Sequence, residues 1–220
     1  MQNLAFDVRS KNFLFLIMIF IIIAILVFTK IVKPMDDAII NYAQSIGGNQ
    51  SLDLFMQILT EIGSLFYMII FSLVLFIKKR TRRIGLILIL SVLAGTIVSA
   101  YIKESVGQER PNLDFKGIPF PIPLEKDTFS FFGADTNSFP SGHATRTSAF
   151  ALVIGFALSN RFPKGCYLLF LYPCLVSISR VYVLQHYPSD VIGGMILGIL
   201  ISGLISRKLK LHLIFEKSIT

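Results

Sequence analysis

Charge is scarce in this chain, and so is cysteine. Of 220 residues only 15% are charged while 54% are hydrophobic, and the mean hydropathy is +0.70. A water-soluble domain of this length needs far more polar surface, so that class is excluded and lipid is the solvent for most of the chain. The two cysteines, Cys166 and Cys174, lack Cys-x-x-Cys spacing and have no His or Cys cluster beside them. A disulfide framework and a cysteine metal centre are therefore set aside, and both residues read as core thiols. The chain also lacks any repeat of fixed period and any low-complexity tract, so residues 1–220 read as a single membrane-embedded domain.

What is present is a series of long apolar runs. Residues 12–29 carry no charge and consist almost wholly of Phe, Leu, Ile, Met and Val, long enough to cross a bilayer core at about 1.5 Å per residue. The run ends at Thr29-Lys30-Ile31-Val32-Lys33-Pro34 rather than at small residues, and further spans follow, so it reads as a retained helix and not a cleaved signal. Similar runs cover about 60–77, 84–102, 147–160, 165–179 and 191–206. The expected fold is all-α, a membrane bundle of six transmembrane helices with both termini on one side.

The formal charge of +8 invites a nucleic-acid reading, but the basic residues sort by loop. With the N-terminus inside, Arg9, Lys11, the run Lys78 to Arg83, Arg161, Lys164, Arg207, Lys208, Lys210 and Lys217 all fall inside, joined by only two acids, Asp7 and Glu216. Lys and Arg near span ends resist translocation, so this asymmetry predicts cytoplasmic termini. The basic runs are topological, and no nucleic-acid partner is expected.

Two outer segments are long enough to matter, 35–59 and 103–143. In the first, Ile39, Ile40, Ala43 and Ile46 recur at helical intervals, then Leu52, Leu54, Phe55 and Ile58 after a Gly-Gly break. This predicts two short amphipathic helices at the outer membrane surface. The prolines of the second segment forbid regular structure, while its phenylalanines suit the headgroup boundary.

The ionisable residues that interrupt the apolar runs converge on the same outer face. Lys103 ends the third span and Arg110 follows seven residues later; a helix continuing that far places both cations on one face, with Pro111 ending it. The fourth span opens with Phe-Pro-Ser-Gly-His, where Ser141 or a neighbour can cap a helix that begins near His143. Such a helix start is an anion site, and Gly142 supplies a backbone donor there. The fifth span ends at Arg180, and the loop bearing His186 leads into the sixth span, near whose start Asp190 is placed to hold a histidine ring nitrogen. Cations beside helix termini suggest a phosphate. Two imidazoles add chemistry, since one can attack phosphorus while the other protonates a leaving oxygen. The third histidine, His212, lies in the basic inner tail and has no such setting.

These segments together resemble the type 2 phosphatidic acid phosphatases, the lipid phosphate phosphatases related to the vanadium haloperoxidases. The three-part pattern is Lys, six residues, Arg-Pro; Pro-Ser-Gly-His; and Ser-Arg, five residues, His, three residues, Asp, all present here in order. The resemblance covers about residues 60–206. It implies that His186 is the nucleophile, forming a phosphohistidine, with Asp190 fixing its tautomer. It implies that His143 is the general acid for the leaving group and later the base for water. Lys103, Arg110 and Arg180, with Ser141 and the Gly142 amide, would hold the phosphate oxygens, with no metal or other cofactor. The implied substrate is a lipid phosphomonoester or diphosphate, polyprenyl or phosphatidate-like, cleaved at the extracytoplasmic surface.

Two other readings stand beside this one. A lipid phosphotransferase could use the same site, and a transporter could bury ionisable groups along an ion path, although the runs 84–102 and 191–206 are unbroken by charge. Arg146, one turn after His143, is a charge where a small or apolar residue is expected. It either extends the phosphate pocket, for instance toward a diphosphate, or snorkels to the surface. Gly194 and Gly198, four residues apart, read as a helix-packing pair.

Overall fold

A computed structural model of the chain describes residues 10–113, 115, 136–159 and 162–211. The expectations placed on Asp7, Arg9, Arg161, His212, Glu216 and Lys217, and on the proline-rich stretch 116–135, lie outside the described residues.

The described residues are all-α. The helices are α1 (Lys11–Phe28), α2 (Lys33–Ile46), α3 (Gln50–Ile62), α4 (Leu65–Ile77), α5 (Arg82–Val106), α6 (Gly142–Leu158), α7 (Leu171–Tyr182) and α8 (Pro188–Lys208), with a 3-10 turn, Gly165–Phe170, leading into α7. Polar residues mark several of the starts: Ser10, Asn49 and Ser64 each accept a hydrogen bond from the backbone N–H three residues on, which satisfies a donor the helix itself leaves open. Pro188 sits in the first turn of α8, where its missing N–H costs nothing.

Among the described residues, four stretches are long and apolar enough to cross a membrane: α1, α5, α8 and the 3-10 turn with α7. The pair α3 and α4, bent by 53°, makes a fifth if counted as one span. The protein is a multi-pass membrane protein. Helix α6 has 17 residues and is the most enclosed, buried on all sides between α5, α7 and α8. Below it, Met68, Ile87, Leu88, Val92, Leu152, Val153 and Phe156 form a close-packed core. Leu14, Phe15, Met18, Ile21 and Ile25 of α1, with Leu73 and Val74 of α4, point outward. In lipid such exposure is favourable, and packing rather than burial from water holds the helices together.

Glycine decides how close α8 approaches α6. A Cβ on Gly198 would lie 2.2 Å from the carbonyl oxygen of Thr145, and one on Gly194 would lie 2.4 Å from that of Ser141. The small-residue reading of this pair is the observed one.

Helices α2 and α3 are amphipathic, as expected, but α3 is turned inside out. Its buried residues are Asp53, Gln57 and Thr60, spaced to share one face, while Leu54, Phe55 and Ile58 are exposed. On α2, Asp36 joins Ile40 and Ala43 on the buried face. Against lipid the polar stripe turns toward protein and the apolar one toward hydrocarbon.

The two ends of the bundle differ in charge. At one end the exposed run Lys78 to Arg83 meets the end of α8, where Arg83 donates to the Leu209 carbonyl at 2.8 Å. At the other end lie the close of α5 and α7 and the start of α6 and α8. Cys166 is buried, but Cys174 is exposed, so only one of the two is a core thiol.

Candidate active site

Lys103 lies in the last turn of α5, where it is 1% exposed, and its Nζ donates to the backbone carbonyl of Asn137 at 3.2 Å. The helix does not reach Arg110 as expected. Gly107, at φ +66°, closes it in the left-handed conformation that glycine adopts freely, and its N–H returns to the Lys103 carbonyl at 2.9 Å. The break therefore falls four residues before Pro111. Arg110 reaches the site from an extended segment that pairs with 136–138 through Arg110 N–H to the Thr136 carbonyl and Ser138 N–H to the Gln108 carbonyl. Its guanidinium donates to the carbonyl of Gln185, the residue before His186, at 3.0 Å.

Ser141 is the N-cap residue of α6, but its side chain makes no capping bond to the helix; its carbonyl accepts the N–H and hydroxyl of Thr145, the first bonds of the helix. Its own hydroxyl is buried and makes no hydrogen bond among the described residues, so it is available to a ligand. Its N–H donates to the backbone carbonyl of Asp190 at 3.0 Å, which ties the start of α6 to the start of α8. Gly142 and His143 follow in the first turn, both buried. The first N–H groups of α6 and its partial positive charge favour an anion here.

Arg180, fully buried near the end of α7, accepts at its carbonyl the N–H of Gln185 at 3.0 Å, which folds the chain back toward α8. His186 Nδ1 lies 3.5 Å from Asp190 Oδ2, and both side chains have no exposed surface. The Asp190 carboxylate is held by two donors, the Tyr187 N–H at 2.8 Å and Gln108 Nε2 at 3.3 Å. These hydrogen bonds bring all three sequence segments to one end of the bundle. Beside them is a cavity of about 270 Å³ bordered by Lys33, Gln108, Glu109, Arg110 and Tyr187.

Arg146 neither snorkels nor lies open to a ligand at the surface: it is 2% exposed. Its terminal nitrogen is 3.2 Å from His143 Nδ1, and its Nε donates to the Gly63 carbonyl at 3.4 Å. Gly63, at the bend between α3 and α4, must be small, since a Cβ there would meet Val176 at 2.7 Å and His143 at 3.3 Å.

Other residues support the site without belonging to any of the three motifs. Asp36 of α2 accepts the Ser189 N–H at 3.1 Å and the Ser189 hydroxyl, so one helix caps another. Burial pushes the Asp36 carboxyl above its ordinary range, against the Ser189 bonds that pull it down. Lys33, paired with Asp37, donates to the Tyr187 hydroxyl at 2.9 Å. On the other flank the Tyr182 hydroxyl donates to Asp53 at 2.6 Å. The signal for both acids was in the sequence: each sits four and seven residues from other positions of one helical face. What that face packs against is a tertiary fact.

The family model described as the PAP2 superfamily matches residues 84–212. An undecaprenyl-diphosphatase of Sulfolobus acidocaldarius is 34% identical over 165 residues, 74% of this chain and 72% of its own length. A phosphatidylglycerophosphatase B of Bacillus subtilis is 29% identical over 197 residues, 84% of this chain and 89% of its own. Among solved structures, the transmembrane PAP2 type phosphatidylglycerolphosphate phosphatase from Bacillus subtilis superposes with a TM-score of 0.70 at 25% identity, covering 94% of this chain and 97% of that one. On the extent of the family match and the length shared with these relatives, the chain belongs to the PAP2 superfamily and is one of its membrane lipid phosphatases.

Proposed function

We propose that this phosphatase removes the terminal phosphate of a lipid phosphomonoester or diphosphate, polyprenyl or phosphatidate-like, through a phosphohistidine on His186. The observation that carries this reading is the buried pair of His186 and Asp190, 3.5 Å apart, with the carboxylate oriented by the Tyr187 N–H and Gln108. A carboxylate at Nδ1 keeps the proton there and leaves the Nε2 lone pair to attack phosphorus. Lys103, Arg110 and Arg180 neutralise the non-bridging oxygens, helped by the Ser141 hydroxyl and the Gly142 N–H. His143 serves the leaving oxygen.

A lipid substrate also needs a place for its chain. An apolar groove of about 440 Å³ between α2, α7 and α8, walled by Ile39, Tyr42, Ile178, Val181, Ile192 and Met195, supports that part of the reading. The membrane placement is part of the same proposal. Helix α6, about 25 Å long at 1.5 Å per residue, is the sixth span, with α3 and α4 forming one bent span. The basic end is cytoplasmic, as are both termini, and the site is extracytoplasmic.

The test is purified protein in detergent with a chelator, offered farnesyl diphosphate, phosphatidate and phosphatidylglycerophosphate. Phosphate release is expected from at least one, with a labelled phosphoprotein that forms in the wild type and not in His186→Ala. Release from none, or an undiminished phosphoprotein in His186→Ala, overturns the proposal.

A further inference from the structure

Arg146 is a buried cation held against one of the two histidines. Its terminal nitrogen stands 3.2 Å from His143 Nδ1, and its Nε is anchored on the Gly63 carbonyl at the bend between α3 and α4. A guanidinium has five donors and no acceptor and stays charged at all relevant pH. At this contact Nδ1 must therefore offer its lone pair. In the neutral ring the proton is then on Nε2. A second proton on Nδ1 would set an N–H against a guanidinium N–H and leave the contact without an acceptor.

We propose that Arg146 is a positioning residue that holds His143 as the neutral Nε2–H tautomer, a hydrogen-bond donor to the leaving oxygen, and that this suits the site to lipid diphosphates over lipid phosphomonoesters. The proposal rests on the phosphatase reading above and narrows its substrate class.

The two substrate classes ask different things of His143. In a phosphomonoester, attack by His186 breaks the bond from phosphorus to an alkyl oxygen, and the electron pair leaves on an alkoxide. An alkoxide is about as basic as hydroxide, so a full proton must be delivered as the bond breaks. A neutral imidazole is a poor source of that proton. In a lipid diphosphate, attack at the terminal phosphorus forms the N–P bond and breaks the bridging P–O bond, whose electron pair leaves on the lipid monophosphate. That group has its second ionisation near pH ~6. It departs as a stable dianion and needs only the Nε2–H hydrogen bond. Water then attacks the phosphohistidine: an O–P bond forms, the P–N bond breaks with its pair returning to His186, and both water hydrogens leave on dihydrogen phosphate. Atoms and charge balance with no proton taken up by His143.

The experiment pairs two substrates of one chain, farnesyl diphosphate and farnesyl monophosphate, with wild type, Arg146→Met and Arg146→Lys. The wild type should prefer the diphosphate in kcat/KM. Arg146→Met should lose about 10- to 100-fold on the diphosphate, the scale of removing a group that orients another, and much less on the monophosphate. Arg146→Lys, still a cationic donor, should restore most of the preference. Nitrogen-15 histidine spectra of the wild type, with His143→Asn identifying the His143 signals, should show a protonated Nε2 and an unprotonated Nδ1. Equal losses on both substrates, or a wild-type His143 protonated at Nδ1, overturn the inference while leaving the phosphatase reading intact. Hydrolysis of neither substrate by the wild type, with the expected tautomer still seen, rejects the substrate preference together with that reading.

Discussion

At Asp190 two tasks meet in one carboxylate. One oxygen faces His186 Nδ1 and also accepts the Tyr187 N–H, while the other accepts from Gln108. An Asp190→Asn variant keeps the shape of the group and the oxygen shared by the Tyr187 N–H and His186 Nδ1, but it removes the negative charge beside the imidazole and sets an amide NH2 against Gln108. The positive charge that develops on the ring as Nε2 attacks phosphorus then has no counter-charge. Turnover is expected to fall roughly 10²- to 10⁴-fold with little change in melting temperature in detergent. Steady-state phosphate release beside a thermal melt checks this, and near-normal turnover would remove Asp190 from the mechanism. Arg146 shows the same lesson in reverse. Its charge was conspicuous in the sequence, but whether it faced the ligand, the surface or the histidine depended on a rotamer and on Gly63, a residue 83 positions away.

Among the elements, α6 and α8 carry the site between them, and their spacing is set by glycine. Adding one methyl to Gly198 would bring carbon within 2.2 Å of the Thr145 carbonyl oxygen and 2.9 Å of the Ser148 Cβ. The helices must part, so Gly198→Ala should destabilise by about 1–3 kcal/mol, the usual range for overpacking, and lower activity by shifting the His143 turn relative to His186. Gly165→Ala is the control, because among the described residues its Cβ would meet only Phe162 Cβ at an ordinary 3.5 Å. Differential melting of the two variants decides it; equal stability would mean that α6 and α8 relax freely. The end of α5 shows how a short-range signal outranks a pattern: helical spacing joined Lys103 to Arg110, but Gly107 in the left-handed region ends the helix first.

At the scale of the whole molecule, the exposed basic run Lys78 to Arg83 and the site occupy opposite ends, and the proposed orientation makes a direct prediction. On a Cys166→Ser, Cys174→Ser background, Asn112→Cys should react with a membrane-impermeant maleimide on intact cells, and Arg80→Cys should react only after permeabilisation. Both positions are exposed in the folded protein. The reverse pattern would invert the topology and place the reaction on the cytoplasmic face. It would leave the chemistry of the site unchanged.

Composition and order alone determined that this chain lives in lipid, that its apolar runs are helical apart from the bend at Gly63 and Ser64 that interrupts 60–77, and that the three motifs lie at the ends of those runs. Those properties follow from local chemistry and from counting spans, because a helix in hydrocarbon must satisfy its own backbone and has few other choices. The tertiary structure decided which groups touch. It set Asp36 on Ser189, Gln108 on Asp190, Asp53 on Tyr182 and Arg146 on His143. Each of these contacts joins side chains at a distance of a few ångströms, and except for the turn of α6 that joins Arg146 to His143, the partners come from different helices or loops. Helical periodicity gives the face a side chain occupies, but packing between helices chooses the partner that face meets.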